Sequence, residues 1–115
     1  MCIDSLGPDF TGLPTIVYTY VKFYLDDVPE LQVPSILVSN FPGTEIIWSD
    51  HNFMVSVEAR PRILHGQRKL TPDELARVFE WVRINQVYLH AYWEGHTSTP
   101  ERFEVLKKLK SVEEV

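Results

Sequence analysis

The sequence predicts an α+β domain: an antiparallel sheet of four to five strands followed by one long and one short helix packed on one face. Three observations carry this expectation. Up to His65 the chain is a succession of short β-branched and aromatic runs separated by Pro, Gly, Asp and Asn. Thr71-Pro72-Asp73-Glu74 then reads as a helix start. Beyond it the apolar residues recur at helical rather than strand spacing. With 115 residues, 44% of them hydrophobic, the chain has the length of one domain and enough apolar surface for one core.

Residues 1–13 hold Gly7-Pro8 and Gly12 without periodicity and read as a flexible N-terminal arm. The domain is expected over 14–112, with 113–115 a tail. Thr15 to Leu25 is almost wholly β-branched or aromatic and reads as the first strand, closed by the turn Asp26-Asp27-Val28-Pro29. Ser35–Ser39 is the second strand and Phe41-Pro42-Gly43 the turn after it. Glu45–Trp48 is the third strand, and Ser49-Asp50-His51-Asn52 a hairpin loop. Phe53–Arg60 is the fourth, with Phe53, Val55 and Val57 on one face and Met54, Ser56 and Glu58 on the other. Pro61 interrupts it, so Arg62–His65 is an edge continuation or a fifth strand, ended by Gly66.

The capping box places Thr71 at the N-cap, Pro72 at the first helical position and Glu74 reaching back. The long helix should run from Pro72 to about Trp93 and stop at Gly95. A second start at Ser98-Thr99-Pro100-Glu101 gives a short helix to about Lys110 or Val112. On a helical wheel, Leu75, Val78, Phe79, Val82, Leu89 and Trp93 form the expected core stripe, with Gln86 its polar exception. Trp81, Ile84, Tyr88, Ala91 and Tyr92 form a second apolar stripe on the far side. Two arrangements satisfy it. The short helix folds back and covers it with Phe103, Leu106 and Leu109, or the stripe meets a partner or a second copy. A polar lane holds Glu80, Arg83, His90 and Glu94, with Arg83–Glu80 and His90–Glu94 at pairing distance.

Charge is divided unevenly. Residues 1–57 carry seven acidic side chains and one basic, Lys22; residues 58–115 carry ten basic and nine acidic. An acidic half is a poor phosphate surface, because nucleic-acid affinity rests on Lys and Arg contacts. Two basic clusters stand out: Arg60, Arg62, His65, Arg68 and Lys69, then Arg102, Lys107, Lys108 and Lys110. Cys2 is the one cysteine, so no disulfide forms within the chain and a reducing cytoplasm is expected. Neither a membrane span nor a signal peptide is read.

Catalytic signatures are missing: there is no G-x-S-x-G, P-loop or G-x-G-x-x-G. Cys2 as an N-terminal nucleophile lacks a Gly-rich turn beside it. Asp50-His51 is a candidate acid–base pair inside a turn of polar residues. His90, Glu94 and His96 could hold a metal, but none of the four histidines pairs at metal-ligand spacing, so no metal or cofactor is expected. A site assembled from scattered residues would draw on Glu58, Arg60, Arg62 and His65, faced by Glu80 or Arg83.

Leu13-Pro14-Thr15-Ile16, Val21-Lys22-Phe23-Tyr24, the His65–Pro72 turn, Glu80-Trp81-Val82 and Leu89-His90-Ala91-Tyr92-Trp93 fall in a distinctive order. Over residues 13–94 the chain resembles a family of small bacterial domains of unknown function. Its members open with Met-Pro-Thr-Ile, run a strand into Asp-His-x-Pro-Pro-His-x-His, turn through Gly-x-Leu-Pro, and end in a helix with Glu-Trp and Leu-x-x-x-Trp. Here Asp27-Val28-Pro29-Glu30-Leu31 stands where the family has histidines, so no role of those histidines carries over. The resemblance implies a component of a small toxin–antitoxin-like system, beside a small partner.

The functional expectation is a cytoplasmic protein-interaction module, in a toxin–antitoxin-like or mobile-element setting. Its surface would be Trp81, Ile84, Tyr88 and Tyr92, met by a protein partner or a second copy. The alternative is a nucleic-acid-directed enzyme or RNA-binding toxin using Arg60, Arg62, His65, Arg68 and Lys69. A third is a structural accessory domain of a phage or mobile element.

Overall fold

The computed structural model describes residues 3–20, 33–40, 52–94 and 104–112. Within them the order is β1 (Ile3–Leu6), α1 (Pro8–Thr11), β2 (Val17–Tyr20), β3 (Ser35–Ser39), β4 (Asn52–Ser56), β5 (Ile63–His65) and α2 (Pro72–Glu94). A further helical turn covers residues 104–107. The five strands form one sheet in the order β1-β2-β3-β4-β5, every neighbouring pair antiparallel. α2 lies across β2 and β3. This is the expected α+β arrangement.

Several segments of the sequence reading lie outside the described residues: residues 21–25 of the first strand, the turns at 26–29 and 41–43, Glu45–Trp48 with most of the loop after it, Gly95, and the second helix start at 98–101. Among the described residues the fourth strand is shorter than expected, ending at Ser56 rather than Arg60. Ser56 closes it. Its N–H donates to the Arg62 carbonyl at 2.9 Å, and its hydroxyl accepts from the Arg62 N–H at 2.9 Å.

The N-terminal segment departs most from expectation. Residues 3–13 are not an arm. Ile3, Asp4, Ser5 and Leu6 pair with Tyr20, Thr19, Tyr18 and Val17, making β1 the edge partner of β2. α1 is a single turn, opened by Pro8 and closed by Gly12 in the left-handed region (φ 73°), whose N–H reaches the Pro8 carbonyl at 2.8 Å. The Thr11 hydroxyl accepts the Leu13 N–H at 3.1 Å, and Thr11 and Leu13 are both buried. α2 holds this segment near both of its own ends. Arg77 donates to the Gly12 carbonyl at 2.6 Å, and the Tyr92 hydroxyl donates to the Asp4 carboxylate.

The register assigns the sheet's faces. Leu6, Val17, Ile36, Val38, Phe53 and Val55 share one face, and each is buried in the main core with Val78, Trp81, Val82 and Leu89 of α2. Tyr18, Tyr20, Ser35, Ser39, Asn52, Met54 and Ser56 share the reverse face. They are buried as well, so the sheet is covered on both sides. Hydroxyl groups on this face find one another: Tyr20 and Ser35 lie 2.5 Å apart across the two strands. A buried hydroxyl is tolerated where it is hydrogen-bonded.

Two asparagines clamp distant backbone. Asn40, at the end of β3, donates to the Gln67 carbonyl at 2.8 Å and accepts the Lys69 N–H at 2.7 Å. It thereby fixes the connection between β5 and α2. Asn85 donates to the Trp81 carbonyl at 3.0 Å and the Lys110 carbonyl at 2.8 Å, and accepts the Lys110 N–H at 2.7 Å. It holds the C-terminal segment on α2.

Replacing Asn85 by Ala should cost about 2–3 kcal/mol, because buried backbone groups lose their partners. Urea denaturation measures this. Exchange of the Lys110 amide should accelerate more than that of the β3 amides. A variant as stable as wild type would contradict the clamp.

Candidate interaction surfaces

The start of α2 forms as its sequence directs. The Thr71 N–H donates to the Glu74 carboxylate at 2.9 Å, and the Glu74 N–H to the Thr71 hydroxyl at 3.2 Å. Asp73 and Glu74 place negative charge at the positive end of the helix dipole. The 23-residue helix ends at Glu94, one residue past the expected end.

Its rotation about its axis differs from the expectation. The buried residues are Val78, Trp81, Val82, Asn85, Leu89, Tyr92 and Trp93. Their centre lies about 50° round the wheel from the expected core stripe, at 100° per residue. Trp81 is fully buried and Tyr92 is 2% exposed. Neither belongs to an outward surface, which corrects the expectation for both. The reason is Asn85. A polar residue reads as outward, but this one has its amide satisfied inside, and it brings Trp81 and Tyr92 inward with it. Leu106, Leu109 and Val112 pack in the same cluster as Trp81. The C-terminal segment therefore folds back on α2, the internal arrangement of the two. Phe103 lies outside the described residues. The indole N–H groups of Trp81 and Trp93 have no hydrogen-bond acceptor among the described residues, and the Trp93 ring lies 6.3 Å from that of His90.

What faces outward is narrower. Val87 is 73% exposed. Ala91 beside it is exposed, while Ile84 and Tyr88 are half-buried, Tyr88 against the core. Polar pairs flank this lane. Arg83 binds Glu80 through two hydrogen bonds, of 2.5 and 2.9 Å, and His90 lies 3.6 Å from Glu94. The hydrogen bonds from Arg83 hold the Glu80 carboxyl below its ordinary range and raise the guanidinium in turn.

No family model, curated protein or solved structure matches this chain. The arrangement of its own side chains is therefore the guide to what it does.

The second surface is the β5 rim. Arg60, Arg62, His65, Arg68 and Lys69 are all exposed. Arg62 is tied at 3.1 Å to Glu58, whose carboxylate also accepts from the Ser56 hydroxyl at 2.5 Å. These two hydrogen bonds, Ser56 first and Arg62 second, lower the Glu58 carboxyl below its ordinary value. Gly66 turns the chain at φ 88°. A Cβ there would stand 2.9 Å from the Asn52 carbonyl oxygen and 3.0 Å from the Phe53 Cα. Only glycine fits this approach without strain.

Among the described residues no hydrogen bond or ion pair joins the two halves of the scattered catalytic constellation. Glu58 pairs with Arg62, whereas Glu80 and Arg83 pair with each other on the outward side of α2. Among the described residues no three His, Cys, Asp or Glu side chains group to hold a metal ion. Cys2, Asp50, His51 and His96 lie outside the described residues. Among those described, no helix is long and apolar enough to cross a membrane.

Two outcomes follow. Trp81→Ala should unfold the domain at lower denaturant, losing about 3–5 kcal/mol as a core truncation does; a stability equal to wild type would return Trp81 to the surface. By carboxyl NMR, Glu80 should titrate below 4.5, and Arg83→Gln should move it back up. Because the native value is the lower one, the pair's contribution is complete above 4.5 and fades as pH falls through the native value. An unchanged titration in Arg83→Gln would contradict the pairing.

Proposed function

We propose that the domain is a protein-interaction module that associates with a second copy of itself through the outward lane of α2. Val87 carries this reading, standing 73% exposed in the middle of a 23-residue helix. A helix lying on a sheet is expected to be polar along its far side. Here Ile84, Val87 and Ala91 set an apolar lane at one-turn spacing between the Glu80–Arg83 and His90–Glu94 pairs, and Tyr88 adds an aromatic shoulder.

Charge selects the register. Consider a second α2 packed antiparallel. An axis through Val87 would set Glu80 against Glu94, and like charges repel. An axis between Asn85 and Gln86 sets Ile84 against Val87, Arg83 against Tyr88 and Arg77 against Glu94. The second register joins apolar to apolar, a guanidinium to an aromatic ring and a cation to an anion. One helix pair buries less than the ~800 Å² per partner of a standard interface, so the association is weak, of roughly micromolar strength or below.

The resemblance over residues 13–94 to small bacterial domains in toxin–antitoxin-like systems supports the same class of function, as does a lone cysteine suited to the cytoplasm. Sedimentation velocity from about 10 µM to 1 mM tests the proposal. The wild type should shift towards dimer over this range, while Val87→Glu stays monomeric with an unchanged unfolding midpoint. A wild type that is monomeric throughout, or a variant that associates equally well, overturns it.

A further inference from the structure

We propose that β5 is a docking edge that takes an extended, acidic segment of a protein partner as an added strand. This goes beyond self-association through α2 and uses a different surface, sharing with it only the premise that the domain works by protein contact. Among the described residues β5 is the last strand of the sheet, bonded to β4 on one side. All of residues 62–69 are exposed except Leu64, which is half-buried. Ile63, on the helix face opposite Val55, is 37% exposed and offers an apolar contact at the open edge.

An edge strand presents main-chain donors and acceptors to any extended chain, and side chains beside it decide which chain is admitted. Around β5 the sequence from 58 to 69 carries Arg60, Arg62, Arg68 and Lys69 against Glu58 alone. Arg62 is engaged with Glu58, whereas the side chains of Arg60, His65 and Arg68 make no hydrogen bond or ion pair among the described residues. The rim is positive, on a chain whose net charge is −5. A second copy of the same edge is repelled, and an acidic strand is attracted. The edge is held rigid on both flanks. Ser56 pins the backbone of Arg62, and Asn40 pins that of Gln67 and Lys69. Gly66 lets the chain pass against Asn52 and Phe53 without a side chain in the way.

A nucleic acid is the competing occupant of a basic rim. The segment from 58 to 69 has no Phe, Tyr or Trp on which a base could stack. The open backbone edge and Ile63 suit a peptide instead.

The test titrates the ¹⁵N-labelled protein with three probes at low salt: a blocked Glu-Val-Glu-Val-Glu-Val peptide, its Lys-Val counterpart and a single-stranded oligouridylate. The acidic peptide should shift the amides of Ile63 to Lys69 with a dissociation constant below about 1 mM, and the lysine peptide should not. Arg60→Glu with Arg68→Glu should weaken the acidic peptide at least about tenfold, since rim charges govern attraction. Both sites are exposed, and an unchanged unfolding midpoint confirms that the fold is kept. Because the Arg62 carbonyl faces β4, the Ile63 N–H faces away from it; Ile63→Pro removes this edge donor and should abolish binding, with the α2 amides holding their wild-type shifts. Val87→Glu should bind the peptide as wild type does, separating this edge from the α2 lane. Equal binding of the two peptides, no binding of the acidic one at about 1 mM, or oligouridylate binding more tightly through the same amides would each overturn the proposal.

Discussion

The seating of α2 depends on one buried amide. Asn85 is fully enclosed, and its side chain makes three hydrogen bonds, two of them to the backbone of Lys110. A primary amide shut away from water without partners is costly, so a helix carrying one must turn it either to solvent or to a fitting acceptor and donor. The C-terminal segment supplies both. Once Asn85 faces inward, the helical repeat leaves little freedom. Trp81, one turn before it, and Tyr92, two turns after it, go into the core, and Val87 comes out. The same clamp brings Leu109 onto the helix, so the covering segment and the rotation of α2 are set together.

The second constraint is at the other end of the chain. β1 is four residues long and α1 a single turn, neither stable alone. They persist because the main chain of β1 pairs along β2 and because α2 grips both pieces, Arg77 at Gly12 and Tyr92 at Asp4. The result is a sheet with both faces covered, bounded among the described residues by β1 on the acidic side of the sequence and by β5 on the basic side. The two edges therefore differ in character: Asp4 of β1 is bound to α2, whereas the rim of β5 carries arginines exposed to water.

Much of this was legible where local chemistry decides. The Thr71–Glu74 capping box located the start of α2, and the Ser35–Ser39 run located β3 to the residue. The alternation of Phe53, Val55 and Val57 assigned the core face of β4. Illegible features depend on partners far away in the chain. Asn85 and Gln86 are alike as polar neighbours on a wheel, and only Lys110 distinguishes them. Ile3–Leu6 has no periodicity because its partner is the backbone of β2. The same alternation puts Met54 and Ser56 on the face opposite Phe53 and Val55, and nothing local marks that reverse face as buried. Of the candidate surface, the exposure of Arg60, Arg62, His65, Arg68 and Lys69 followed from composition. The burial of Trp81 and Tyr92 did not, since an apolar residue on the flank of a stripe reads equally well as core or as surface.

The central claim is that α2 rests on the sheet with the Trp81 ring enclosed. Hydrogen exchange of the indole N–H groups, followed by NMR in heavy water, reads this directly. The Trp81 indole proton should exchange only through global unfolding, with the same free energy as the slowest amides of β3. Loss of that signal within the first spectrum, while the β3 amides stay protected, would show the ring open to water and contradict the account.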